Sequence, residues 1–232
     1  MKKNYILALF LCFVLIIVTY FIAQNPSDTF VNVKDVMSND SCKVSEINKE
    51  EKKYVVKAYM PVTGIENLDK KIDSQYSKII DNFVEESESL ELIENEKKFA
   101  LTINFSNYEY NDYISFLIMC SCDLGRAHPD RRIMTVNYNK KSKEFVTIDT
   151  LLKNNKSIID VFSKYSYEKL SKNTELLENE ETLKNGIFKT KDDFESFVFS
   201  KGGLILFFPN YSIASYYLGD FEVVIPYDKL GF

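Results

Sequence analysis

The stretch Tyr113-Ile-Ser-Phe-Leu-Ile-Met-Cys-Ser-Cys122 decides the fold. Side chains alternate about an extended backbone, so Ile114, Phe116, Ile118, Cys120 and Cys122 fall on one almost wholly apolar face. That pattern predicts a core strand, entered from Tyr110. Neighbouring segments keep the period of two: Leu101 to Phe105 upstream, and Arg132 to Tyr138 downstream, where Met134, Val136 and Tyr138 share a face. Farther out, Tyr54 to Tyr59 reads as a first strand and Phe221 to Ile225 as a last one. Phe197 to Ser200 and Leu204 to Phe208 read as a hairpin joined at Lys201-Gly-Gly203.

Two segments carry the longer period of a helix. After the turn Pro61-Val-Thr-Gly64, the residues Ile65, Leu68, Ile72, Tyr76, Ile79 and Phe83 recur at spacings of three and four, with Asn67 as the expected N-cap. The acidic continuation from Glu85 reads as a solvated helix face or its frayed end. Ser157-Ile-Ile-Asp160 resembles a capping box and opens a second amphipathic helix through Phe162, Tyr165 and Leu170. Thr174 to Lys184 is expected to add a short helix closed by Asn185-Gly186. Strands outnumber helices and most are joined by hairpins. The predicted class is α+β: a mainly antiparallel sheet packed on one face by two principal helices.

The chain has 232 residues, 45% hydrophobic and 14% aromatic, enough to fill a core. Behind Lys2 and Lys3 an apolar run extends from Ile6 to Ala23. At about 1.5 Å per residue it reaches roughly 27 Å, close to the thickness of bilayer hydrocarbon. Phe21-Ile-Ala23 places a bulky Phe where signal peptidase wants a small residue, so the expectation is an uncleaved single-pass anchor with the C-terminal part outside the cytoplasm. The expected organisation is an anchor over residues 1–24, a tether over 25–53, a strand-helix module over 54–100 and an α+β module over 101–232. The formal charge of −5 becomes −7 without the two leading lysines, since residues 1–23 contain no acid. That argues against nucleic acid and favours a basic partner.

The core strand runs into Cys120-Ser-Cys-Asp-Leu-Gly-Arg-Ala-His-Pro-Asp-Arg-Arg132, which holds two cysteines and the only histidine of the chain. A metal site would need more imidazole or thiolate than this, and a redox pair would need another residue between the thiols; no cofactor is expected. Cys120 and Cys122 are expected to face the core, with a disulfide from Cys42 to Cys120 or Cys122 permitted in an exported chain. Asp123, His128 and Asp130 could form an acid/base group, but turn roles suit both aspartates better. Pro129 pushes His128 toward extended geometry. What remains is a polar, cationic loop between two paired strands, presented as a recognition surface.

Three ordered motifs carry a resemblance. Gly125-Arg-Ala-His-Pro-Asp130 resembles the Gly-Gly-Ala-His-Pro-Asn signature of a family of extracytoplasmic domains of Gram-positive bacteria. Phe145-Val-Thr-Ile-Asp-Thr-Leu-Leu152 resembles the family's "itLddLF" segment, and Gly203 to Ala214, with Gly219 and Val224-Ile-Pro-Tyr227, resembles its ending. Tyr59 to Gly64 and the helix after it resemble the companion N-terminal module. The resemblance implies two contexts: RsiV-like anti-sigma factors, whose exported domain binds lysozyme, and PdaC-type peptidoglycan deacetylases. Neither a sigma-binding segment nor a deacetylase domain is recognisable here, so the expectation is the exported module alone behind its anchor. The implied function is recognition of lysozyme or cell-wall glycan. Arg126, His128, Asp130 and Arg131 would supply polar contacts, and Tyr211, Tyr216 and Tyr217 aromatic platforms. The alternatives are a small cell-wall hydrolase using Asp123, His128 or Asp130, and an exported structural scaffold.

Overall fold

The computed structural model describes residues 42–92, 97–173, 176, 190–210, 212–213 and 218–231. The expected anchor, most of the helix expected over 174–184, and Tyr211, Tyr216 and Tyr217 lie outside the described residues. Among the described residues no helix is long and apolar enough to cross a membrane.

The class is α+β, as the periodicities predict. In chain order the elements are β1 (Lys43–Glu50), β2 (Tyr54–Val62), α1 (Glu66–Ser89), β3 (Phe99–Tyr110), β4 (Tyr113–Asp123), β5 (Asp130–Asn139), β6 (Glu144–Phe145), α2 (Ile148–Asn154), α3 (Ile158–Leu170), β7 (Phe197–Ser200), β8 (Gly203–Phe208) and β9 (Phe221–Ile225). The first six strands form one sheet in sequence order, and the last three form a second. Among the described residues only β2 and β3 pair in parallel. The crossover that parallel pairing requires is α1.

The stretch that decides the fold is buried on both faces. Ile114, Phe116, Ile118 and Cys120 pack under α1 with Val56, Ile103, Leu68, Ile72 and Tyr76. Leu117, one residue out of phase, packs instead with Val198, Ile205 and Phe207 of the second sheet. The opposite face of that sheet, Phe199, Leu204, Leu206, Val223 and Ile225, closes on Ile148, Ile158 and Phe162 of α2 and α3. The expected single sheet with both helices on one face is therefore corrected to four layers: α1, the six-stranded sheet, the three-stranded sheet, then α2 and α3. A strand with apolar residues at both parities is the mark of a layer covered on both sides.

The two sheets also meet through polar groups. Strand β7 is the edge of its sheet, and the face of the large sheet satisfies its outer backbone. Asn137 Nδ2 donates to the Phe197 carbonyl at 2.8 Å, Phe199 N–H donates to Ser115 Oγ at 3.1 Å, and Phe197 N–H donates to Thr135 Oγ1 at 3.3 Å. Asn137 and Ser115 are buried for this purpose.

Three local expectations are corrected. Residues 43–50, assigned to the tether, form strand β1 along β2, in register from Lys43 opposite Val62 to Glu50 opposite Val55. Exposure of nearly every side chain in β1 leaves no alternation to read. Asn67 does not cap α1: the N-cap is Ile65, with no side-chain cap. Instead, Asp69 reaches back from the first turn and accepts from Thr63 N–H, Thr63 Oγ1 and Gly64 N–H at 2.7 to 2.9 Å. Ser157 likewise makes no cap bond; Asn155 Oδ1 accepts from its N–H and hydroxyl. At the other end of α1, Lys53 Nζ donates to the carbonyls of Glu88 and Leu90, placing a cation on the helix C-terminus.

Candidate functional site

Helix α1 packs chiefly on β2 and β3, and a groove of about 530 Å³ opens between it and β3, β4 and β5. Its floor is apolar: Ile79 and Phe83 from α1, Leu101 from β3, Cys120 and Cys122 from β4, and Met134 from β5. Along α1 the rim carries Lys71, Ser74, Gln75, Lys78, Asn82 and Glu86, which are residues on one side of a helix. The opposite rim is Asp130 and Arg132 at the start of β5.

The signature loop stands at one end of this groove. Gly125 adopts φ of 72°, a left-handed conformation that glycine takes without penalty, and its N–H donates to Asp123 Oδ1 at 3.1 Å. Arg126, the residue that departs from the family signature, reaches Glu86 Oε1 at 2.8 Å and ties the loop to the last turns of α1. Asp130 accepts two bonds from Arg132, from Nε at 2.9 Å and Nη2 at 2.6 Å. These exposed pairs add little stability. Their effect on the groove is to neutralise both rim acids.

Of the residues expected to make contacts, Asp130 lines the groove, and Arg126 reaches it through its pair with Glu86. His128 is exposed at the loop tip, with Nδ1 3.3 Å from the Pro129 carbonyl oxygen. Arg131 is placed elsewhere: it pairs across from Ser121, and strand alternation turns it away from the face that carries Asp130, Arg132 and Met134. Arg132 takes the place expected of it. In the acid/base group, the Asp123 carboxylate receives the Gly125 N–H and Lys97, whereas that of Asp130 receives Arg132. The row on α1 was missed. Its signal was the polar spacing of 71, 74, 75, 78 and 82 beside the apolar stripe of the same helix.

Among the described residues the cysteines, Cys42, Cys120 and Cys122, are free. Cys120 is buried as expected, and burial pushes its pKa up to about 12. Cys122 is half-buried on the groove floor; burial first, then the charges of Glu86 and Asp130, push it up to about 11. Cys42 is also raised, by burial and then by Glu109 and Asp69. The disulfide permitted from Cys42 to Cys120 or Cys122 is not formed in this structure.

With this geometry in place, comparison with known proteins locates the chain. Residues 149–228 match a family model described as "Protein of unknown function (DUF3298)". This segment covers most of α2, all of α3 and the three-stranded sheet, and leaves the groove outside it. The peptidoglycan-N-acetylmuramic acid deacetylase PdaC of Bacillus subtilis is 24% identical over 166 residues, which is 71% of this chain but 36% of that protein. A crystal structure of a DUF3298 family protein from Pseudomonas aeruginosa superposes with a TM-score of 0.64 at 14% identity, covering 82% of this chain and 91% of the other. A second family member, from Bacteroides fragilis, gives 0.52 at 15% identity, covering 82% and 92%. The fold is shared with these two crystal structures, well beyond the DUF3298 segment.

Proposed function

We propose that this chain is an extracytoplasmic binding module for cell-wall glycan, held at the membrane by residues 6–23, and that it binds without cutting. The observation that carries this reading is the groove between α1 and β3–β5. An apolar floor bordered by hydroxyl, amide and charged side chains suits a polymer whose sugar faces are apolar and whose edges are polar. Similarity to a protein named for action on peptidoglycan supports the same ligand class. Arg126 and Asp130 frame the end of the groove, and His128 extends the contact surface beyond it.

Co-sedimentation of the full-length chain in detergent with purified peptidoglycan sacculi tests this. The chain is expected to pellet with the sacculi and to release no soluble fragments or reducing ends. Failure to pellet would refute glycan binding, and fragment release would restore the hydrolase. A second reading, recognition of a basic lysozyme as the RsiV-like resemblance implies, is favoured by the acidic charge of the chain, which would speed encounter. Immobilised lysozyme in a parallel assay separates the two.

A further inference from the structure

The charges along the groove are not balanced. Glu86 and Asp130 are each held by an arginine. Lys71 and Lys78 have no ion-pair partner among the described residues. Both are on the groove rim, two turns apart on one helix face, so their stems stand roughly 10 Å apart. Between them is Gln75, whose amide oxygen is buried without a hydrogen-bond partner. A buried acceptor left unmade is costly, and a ligand N–H would remove that cost. The rim of an acidic protein thus offers cation, acceptor, cation over an apolar floor.

We infer that the groove receives a carboxylate-bearing peptide arm of the cell-wall polymer, with Lys71 and Lys78 meeting carboxylates and Gln75 Oε1 accepting a backbone N–H. This rests on the glycan reading above and names the part of the polymer that is held. A neutral sugar chain has hydroxyls and acetamides but nothing to match two unpaired lysines. An extended peptide rises about 3.3 Å per residue, so carboxylates three residues apart span the separation of the two lysines. Small side chains of such a peptide would rest on Ile79 and Met134. A basic protein surface is disfavoured by the same two charges.

Calorimetric titration of the full-length chain with an N-acetylmuramyl pentapeptide, which carries free carboxylates on its second and fifth residues, tests the inference, against the same compound with its carboxylates amidated and against a neutral N-acetylglucosamine tetramer. The free-carboxylate compound is expected to bind best. Lys71→Gln and Lys78→Gln are each expected to weaken it about tenfold, as loss of one charge-assisted contact would, and amidation of the carboxylates is expected to weaken it more than either; added salt should shrink these differences. Lys70→Gln, which breaks an exposed pair with Glu66, should change nothing. Melting curves of the variants should overlay, because these side chains are exposed on a helix and Gln is a good helix former. Equal affinity for the amidated compound, or indifference to both lysine changes while sacculi still pellet the chain, would overturn the peptide arm and leave the glycan reading standing. If sacculi do not pellet the chain, both fall.

Discussion

Cys120 stands where the groove meets the core, and its chemistry follows from that position. Burial raises its pKa from 9.0 to about 12, so folding favours the neutral thiol. The contribution is whole below pH 9 and is lost as the pH climbs toward 12, with Cys122 adding the same sign between 9.0 and about 11. Denaturation midpoints are therefore expected to fall above pH 9, and Cys120→Ala should flatten that fall even though it lowers stability at neutral pH. Thiol reagents should react slowly with native protein at pH 8 and rapidly in denaturant; fast native labelling of Cys120 would show the thiol to be exposed. The inward orientation of Cys120 was legible from strand alternation alone. That Arg132 and not Arg131 faces the groove was equally implied by parity, but the loop was read as a continuous cationic patch and the alternation was not carried across it.

At the scale of elements, the polar side chains under β7 do the work that a neighbouring strand would otherwise do. Asn137→Ala removes the donor to the buried Phe197 carbonyl and is expected to cost about 1 to 3 kcal/mol in urea denaturation. Thr135→Val, at a less buried position with longer contacts, should cost less. Most strands and both long helices were readable because each buries one face and exposes another, which writes a period into the sequence. Elements without that contrast were not. Strand β1 is solvated almost throughout, and α2 is a short helix set by a capping box of Thr147 and Thr150, with no capping residue of the usual Ser-to-Glu form. The start of α1 is fixed by Asp69 acting backward onto Thr63 and Gly64, a tertiary arrangement that a search for capping residues ahead of the helix does not find.

Across the whole molecule, β4 belongs to two hydrophobic cores, one on each face. Neither can open without exposing that strand. Ile118→Ala in the core under α1 and Phe207→Ala in the core between the two sheets, each expected to cost about 2 to 5 kcal/mol, should lower the midpoint of one shared transition with its steepness unchanged. Two separable transitions would show that the layers fold independently. The α+β class was legible in composition and period. The stacking of two sheets was written in the same stretch, in Leu117 and Met119 among the residues opposite the chosen face, and was passed over because one apolar face already accounted for a strand.

The borders of the large sheet carry a last consequence, for crowding. A sheet edge is a template on which another copy can polymerise. One border here, β1, carries Lys43, Glu46, Lys49 and Glu50, charges of both signs that a flat second strand would have to match in register. At the other border the two-residue β6 pairs only with Tyr138 and Asn139, and the rest of the edge is β5, where Asp130, Arg131 and Arg132 again place charges of both signs. The polarity that hid β1 from pattern reading therefore acts as protection against edge-to-edge aggregation.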